Sequence, residues 1–395
     1  MSRLDDMIQE LCPDGVEYRN LEDCCIILDS KRKPITKAKR VAGDFPYYGA
    51  NGVQDYVNDY LFEGKFVLVG EDGSVLTLSG KPVVNWAEGK IWVNNHAHII
   101  SEKEGINLRY LFYYLQTVNI TDLVHGNIPK LTGKDFKAIK TPIPPLEVQQ
   151  EIVRLLDDFT AKTAELQAEL NKEYEARKKQ YEYYKEVLLY NNENVDKVKI
   201  KDIVCKTNKI KWNQTKNTYQ YIDLSSVDRE THTLLNTSII DGNNAPSRAQ
   251  QIVRIDDVLF GTTRPMLKRI CVIPDEYDGQ ICSTGFCVLR AIDNIVQPKW
   301  IYHVLNTAQF YSYVESHQQG TSYPSISDSL VKEYEITLPS LDEQIRIINI
   351  LDNLEETNFE LNNNLSLELE SRQKQYEFYR DKLLTFKELN ESEVN

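Results

Sequence analysis

Residues 144–189 read PPLEVQQEIVRLLDDFTAKTAELQAELNKEYEARKKQYEYYKEVLL, and residues 339–384 read PSLDEQIRIINILDNLEETNFELNNNLSLELESRQKQYEFYRDKLL. The two stretches align without a gap at a constant offset of 195 residues. Pro144, Leu146, Gln149, Ile152, Leu156 and Asp157 recur as Pro339, Leu341, Gln344, Ile347, Leu351 and Asp352. Arg177, Gln180, Tyr181, Glu182 and Tyr184 recur as Arg372, Gln375, Tyr376, Glu377 and Tyr379. Agreement over that length does not arise by chance, so the chain is an internal duplication.

Within the first copy, large residues fall at Ile152, Leu156, Phe159, Leu166, Leu170, Tyr174, Tyr181, Tyr184 and Leu188; in the second they fall at Ile347, Leu351, Leu354, Leu361, Leu365, Leu369, Tyr376, Tyr379 and Leu383. Steps of three and four predict a seam along one face of a long helix. Pro144, Pro145 and Pro339 stop the preceding backbone where each helix begins. Thr163 with Asn358, and Arg177 with Arg372, interrupt the seam at equivalent places, where polar groups set register. Two such helices in one chain, related by a pseudo-twofold axis that crosses them, run antiparallel. About 40 helical residues at about 1.5 Å each make a rod of about 60 Å. The alternative is that each helix packs only on its own flanking domain.

Outside the helices the duplication continues more faintly. VEYRNLEDCC from Val16 pairs with VDKVKIKDIV from Val195, VLVG from Val67 with VLFG from Val258, YLFYYLQT from Tyr110 with WIYHVLNT from Trp300, and GNIPKLTGKDF from Gly126 with GTSYPSISDSL from Gly320. Between these anchors the halves share little. Short β-rich runs such as KFVLVG, KIWVNNHAHII and ICSTGFCVLRA lie among Gly and Pro turns. The pattern predicts an α+β chain: a domain over 1–144, a helix over 145–195, a second domain over 196–340 and a second helix over 341–395.

A chain of 395 residues exceeds what one hydrophobic core organises, which agrees with two domains. Hydrophobic residues at 41% and aromatics at 10% exclude a disordered polymer. The opening MSRLDDMIQELCPDG has no basic start or apolar stretch, and no run of about 18 apolar residues occurs anywhere. A cytoplasmic protein without a membrane partner is expected. The seven cysteines include no CxxC pair and read as reduced, mostly buried thiols. Net charge is −13, which at first argues against a nucleic-acid partner. Its distribution reverses that reading: −2 over 1–144, −4 over 145–195, 0 over 196–340 and −7 over 341–395. The acid is in the helices, and the domains are near neutral with local basic clusters. An acidic DNA mimic would instead spread its charge over the whole surface.

The helix copies, with MIQELCPDGVEYRNL at the start and YYGANGVQDYVNDYLFEGKFVLVGEDGS in the first domain, resemble the DNA-specificity subunits of type I restriction-modification enzymes across essentially the whole chain. The resemblance implies two target-recognition domains, each reading half of an interrupted double-stranded DNA sequence, with the helices setting the gap. It also implies two methyltransferase subunits as partners, with restriction/translocase subunits in the full complex. S-adenosylmethionine, ATP and Mg²⁺ would belong to those partners and not to this chain. Two readers on one face of a duplex need centres about one helical turn apart, roughly 34 Å, within reach of such a rod. No GxxxxGK[ST], GxGxxG, HExxH or NPPY-like motif occurs, so no catalytic residue is assigned.

Candidate DNA contacts follow from residue chemistry. Lys31, Arg32, Lys33, Lys37, Lys39 and Arg40 crowd into KRKPITKAKR, a cluster able to neutralise phosphates without specifying bases. Lys206, Lys209, Lys211 and Lys216 are candidates for the same work in the second domain. Arg264, Lys268 and Arg269 follow the VLFG strand, where a guanidinium can address guanine in the major groove. Asn51, in the glycine-flanked turn of YYGANG, can pair with adenine or simply form the turn. The matched loops offer Asn127 and Lys130 in the first domain and Thr321, Ser322 and Tyr323 in the second. His96 and His98, two apart in WVNNHAHII, share one face if that stretch is a strand. No further zinc ligand is identifiable beside them, and base or structural hydrogen bonding is the expectation. The helix seam named above is the candidate surface for helix pairing or partner docking.

Overall fold

The structure, a computed structural model, describes residues 3–190 and 195–389. The described residues form two compact units, one up to Glu169 and again from Ser366, the other Leu170–Leu365.

In the first unit α1 (Arg3–Leu11), β1 (Glu17–Asn20), α2 (Leu21–Cys24) and β2 (Ile26–Ile27) precede the strands β3 (Ala42–Gly49), β4 (Gly52–Val57), β5 (Phe62–Gly70), β6 (Val84–Val93) and β7 (Ala97–Ser101). The last five and β2 make one sheet in the order β2-β7-β5-β6-β3-β4, antiparallel except for the β3/β6 pair. The KFVLVG run of β5 is apolar on both faces because both are covered: Val67 and Val69 enter one core, Phe66 and Leu68 another. α3 (Leu108–Leu115) follows, started by the Asn107 side chain, which accepts the Arg109 and Tyr110 N–H groups. β8 (Val124–His125) and β9 (Lys130–Leu131) form a small hairpin, then α4 (Gly133–Lys137) leads to β10 (Lys140–Ile143), which pairs with β1 and runs into α5 (Leu146–Tyr190).

The second unit repeats that frame around a different interior. β11 (Lys197–Lys199), α6 (Ile200–Ile203) and β12 (Val204–Cys205) lead into β13 (Tyr219–Ile222), β14 (Ser238–Ile240), β15 (Ala249–Ile252), β16 (Val258–Gly261), β17 (Ile270–Val272), β18 (Ile281–Ser283) and β19 (Phe286–Ala291). They build two four-stranded sheets, β12-β19-β16-β17 and β14-β13-β18-β15. α7 (Pro298–Leu305), α8 (Ala308–His317) and α9 (Asp328–Glu333) precede β20 (Glu335–Thr337), which pairs with β11 as β10 does with β1, and α10 (Leu341–Leu383) follows. The mixed helix and strand content agrees with the α+β expectation.

The long helices are antiparallel in each unit. In the first, Val148, Ile152 and Leu156 of α5 share a core with Leu384 from just beyond the end of α10, and Phe159 meets Tyr376 with ring centroids 5.5 Å apart. In the second, Tyr181 and Leu189 of α5 share a core with Ile347, Ile348 and Leu351 from the start of α10. These cores also contain the domain residues, so both seam readings hold: each helix packs on a domain and on its partner. Leu166, Leu170, Leu361 and Leu369 are half-buried, while Leu354 packs at the edge of its core. Two expectations need correction. Tyr184 and Tyr379 are exposed at 42% and 45%, because the helical step from Tyr181 and Tyr376 that faces inward is the fourth, and it lands on Lys185 and Arg380. Those cations are buried over the rings of Tyr181 and Tyr376, at 4.7 and 5.6 Å. Arg177 and Arg372 pair along their own helices, with Glu173 and Gln180 and with Glu368 and Gln375.

After α10 the chain returns to the start of the first domain. The Val16 N–H donates to the Lys387 carbonyl and the Leu389 N–H to the Val16 carbonyl, both at 2.9 Å. Gly15, at φ +114°, lets this happen: a Cβ there would lie 2.5 Å from the Lys387 oxygen.

Candidate nucleic-acid interface

The 31–40 loop joins β2 to β3 and is pinned at its middle. The Lys33 N–H donates to the Val93 carbonyl, and its own carbonyl accepts from Trp92 Nε1 at 2.6 Å. Arg32 turns inward, donating to Glu71 Oε2 and the Ala97 carbonyl, both at 2.6 Å. Arg40 lies 4.2 Å from the centroid of the Tyr47 ring and donates to Asp55 and to the Ile35 carbonyl. The two arginines therefore brace the loop: Arg32 spends its guanidinium on Asp29, Glu71 and the Ala97 carbonyl, and Arg40 gives Nε and Nη1 to Ile35 and Asp55. Lys31, Lys33, Lys37 and Lys39 remain exposed, with no salt bridge among the described residues. Asn51 is exposed at the tip of the β3–β4 hairpin. Asn127 is exposed in the β8–β9 turn, which the Gly73 N–H anchors through the Pro129 carbonyl at 3.0 Å. Lys130 reaches Glu71 at 3.3 Å, so its charge is partly matched.

His96 and His98 do not share a strand face. β6 ends at Val93 and His96 belongs to the turn before β7, where its Nδ1 contacts Asp72. His98 is buried, with Nδ1 2.6 Å from Asp29 Oδ2 and Nε2 3.0 Å from the Leu131 carbonyl. A carbonyl only accepts, so Nε2 carries a proton and is not free for a metal. Asp29, Glu71 and His98 converge closely enough to suggest an ion site, but Arg32 and Lys130 already supply the positive charge. Burial raises the Asp29 pKa, yet the His98 hydrogen bond and charge, the Ile99 N–H and Arg32 together bring it below its ordinary value. A lowered carboxyl stabilises the fold above its unfolded pKa and loses that contribution as pH falls. The melting temperature is therefore expected to fall as pH drops below about 4, and Asp29→Asn to flatten that part of the profile. An unchanged profile would show that the network contributes nothing.

In the second domain Lys206, Lys209, Lys211 and Lys216 are all exposed. Thr321, Ser322 and Tyr323 form an exposed loop that the Arg264 N–H anchors through the Pro324 carbonyl at 2.7 Å. This is the bond made by Gly73 to Pro129 in the first domain, so VLFGTTR (258–264) matches VLVGEDG (67–73) and Arg264 stands where the first domain has glycine. Both positions are left-handed, Gly73 at φ +74° and Arg264 at φ +49°. The Arg264 guanidinium lies 4.3 Å from the Tyr323 ring centroid. Lys268, also left-handed at φ +54°, stands 5.0 Å over Tyr311. Burial, then the charges of Arg229 and Arg264, hold Arg269 below the usual guanidinium range, with Asp223 acting the other way. Arg229 was not singled out by the sequence: it is an isolated arginine in SSVDRETHT. Its loop is rigid, because Asp228 Oδ1 accepts from the Glu230 and Thr231 N–H groups. His232, pushed down to about 4 by burial and then by Lys185 and Lys268, has its Nδ1 2.9 Å from the Tyr302 hydroxyl.

Residues 13–176 and 192–371 match the family described as type I restriction modification DNA specificity domain. The chain belongs to that family. A putative type I restriction enzyme specificity subunit of Haemophilus influenzae is 33% identical over 385 residues, 94% of this chain and 96% of that protein. The EcoR124I/EcoR124II specificity subunit of Escherichia coli is 28% identical over 303 residues, 71% of each. A crystallised HsdS subunit from Thermoanaerobacter tengcongensis is 34% identical over 43% of this chain and 44% of that one, with a TM-score of 0.40. The specificity subunit thus carries two target-recognition domains and works within a restriction-modification complex. Among the described residues no helix is long and apolar enough to cross a membrane.

What this specificity subunit duplicates most faithfully is the joint between domain and helix. Gln149 is fully buried, accepts the Asn107 N–H at 2.9 Å and donates to the Pro144 carbonyl at 2.8 Å. Gln344, equally buried, accepts the Gln297 N–H at 2.8 Å and donates to the Pro339 and Ile295 carbonyls. Next along each helix an aspartate binds the domain helix: Asp157 accepts from Arg109 at 3.0 Å and from Tyr113, and Asp352 from Lys299 at 2.5 Å and His303 at 2.9 Å. Gln149, Gln344, Asp157 and Asp352 were visible as repeats, but their domain partners lie 42 to 53 residues upstream and carry no signal of pairing.

Proposed function

We propose that each target-recognition domain reads one half of a bipartite DNA sequence, and that the α5/α10 pair sets the gap and docks two methyltransferase subunits. The duplicated joint carries this reading. Buried glutamines and paired aspartates make each domain and its helix segment one rigid piece, whereas the exposed loops that would meet DNA differ between the domains. Two partners of one kind are favoured by a surface that occurs twice. Tyr183 and Phe378, each 65% exposed, occupy equivalent helix positions and stack edgewise on Tyr184 and Tyr379, the exposed aromatic pairs that anchor interfaces. Restriction/translocase subunits complete the assembly, S-adenosylmethionine, ATP and Mg²⁺ are held by the partners, and the complex works in the cytoplasm without chemistry from this chain.

Lysines contact phosphates in this reading and do not select bases. Replacing Lys31, Lys33, Lys37 and Lys39 with glutamine is expected to weaken duplex binding alike for all sequences. The slope of log K against log salt should become shallower by about 0.9 per lost contact, with the recognised sequence unchanged. An unaltered slope, or an altered sequence, would remove the loop from the phosphate-contacting role.

A further inference from the structure

The arginine at 264 occupies a backbone position that the first domain gives to glycine. Equivalence rests on matched strands, on the same backbone bond to a matched proline (Gly73 to Pro129, Arg264 to Pro324) and on the same positive φ. A residue with a Cβ is strained there and a glycine is not. Nothing in the local packing demands the arginine side chain: Arg264 is exposed, makes no salt bridge among the described residues, and rests on Tyr323, itself 70% exposed. Around it the charge is unbalanced. Arg269 Nε is buried without a hydrogen-bond partner among the described residues, and the charges of Arg229 and Arg264 oppose its own while Asp223 acts the other way. Each contributing segment is braced, Arg229 by the Asp228 turn and Arg264 by the Pro324 carbonyl. An exposed guanidinium on a braced loop, with the exposed Lys268 four residues along, suits a strongly electronegative group.

We infer that Arg264, held over Tyr323, selects a G·C pair in the half-site read by the second domain, with the exposed Arg229 on its braced turn contacting the DNA backbone. This rests on the assignment of one half-site to each domain. A guanidinium fixed by a ring presents two parallel N–H donors in one plane, the arrangement that meets guanine O6 and N7 in the major groove. Backbone contacts position the duplex but carry no sequence information.

The test uses the complex of the full chain with its co-expressed methyltransferase subunits, comparing R264G, R264K, Y323A and R229A by mapping modified genomic sites and by binding to duplexes of defined sequence. R264G is expected to relax one position of the second half-site, losing on the order of 5- to 150-fold discrimination for G·C there. The first half-site should stay intact, which reports that the subunit is folded, and the melting temperature should not fall, since glycine relieves the strain. R264K should relax the same position, because an ammonium lacks the fork, and Y323A should do so more weakly. R229A should lower affinity for every sequence without changing the motif. A second half-site without a G·C pair, or an unchanged motif in R264G with the first half-site intact, overturns the inference and leaves the one-domain, one-half-site reading standing. A wild-type complex whose sites are not bipartite would defeat that reading instead.

Discussion

Four residues inserted between Ala168 and Glu169 of α5 are expected to lengthen the gap in the recognised DNA by one or two base pairs and to leave both half-sites unchanged. Residues buried in the domain cores lie at the ends of α5, Val148 to Leu156 and Tyr181 to Leu189, and no residue from 157 to 180 is fully buried. An insertion in that span falls outside both cores. Four residues are close to one turn of 3.6, so both ends keep their facing while the axis grows by about 6 Å, against about 3.4 Å per base pair. Affinity for the original gap should fall at least ~100-fold, because one domain no longer reaches its half-site and several base contacts are lost together. Mapping of modified sites in cells carrying the insertion reads this directly. A gap of unaltered length would mean that the helices do not measure it.

Asp257→Ala is expected to be the most damaging single substitution in the second domain. Asp257 has no exposed surface, receives Arg290 through two hydrogen bonds of 2.8 Å and accepts the Arg254 N–H at 2.8 Å. Removing the carboxylate leaves a partly buried guanidinium with only the Ile252 carbonyl to bond and the Arg254 N–H without its acceptor, a loss of about 3–5 kcal/mol by comparison with other broken buried pairs. Across a unit of this size that lowers the melting temperature by roughly 6–20 °C. Asp257→Asn, which keeps an acceptor of the same shape, should lose less. Calorimetry of both variants tests this, and equal melting of Asp257→Ala and the wild type would contradict it.

The helices were legible because a repeat is a comparison the sequence makes with itself: Gln149 with Gln344 and Asp157 with Asp352 needed no structure to be found. Their partners were not legible, since Asn107 and Gln297 act through backbone N–H groups that carry no residue signature. Seam reading failed at Tyr184 and Tyr379 for a physical reason. A lysine or arginine stem can be buried over a ring as well as an aliphatic one, so polarity alone placed Lys185 and Arg380 on the wrong face. The same ambiguity ran through KRKPITKAKR, where Arg32 and Arg40 brace the loop beside four exposed lysines. Arg229 had no signal at all. Arg264 did, because extending the VLVG and VLFG match by three residues sets it opposite Gly73, and an arginine at a glycine position is a question that sequence can raise and only backbone geometry answers.

Two dissimilar readers on a duplicated helix that recognise two separate half-sites must be exchangeable one at a time. Replacing residues 1–144 with the corresponding domain of another specificity subunit, co-expressing the hybrid with the methyltransferase and mapping modified genomic positions tests it most directly. One new half-site is expected, with the other half-site preserved and the gap unchanged. Alteration of both half-sites, or a single uninterrupted motif before and after the exchange, would contradict it.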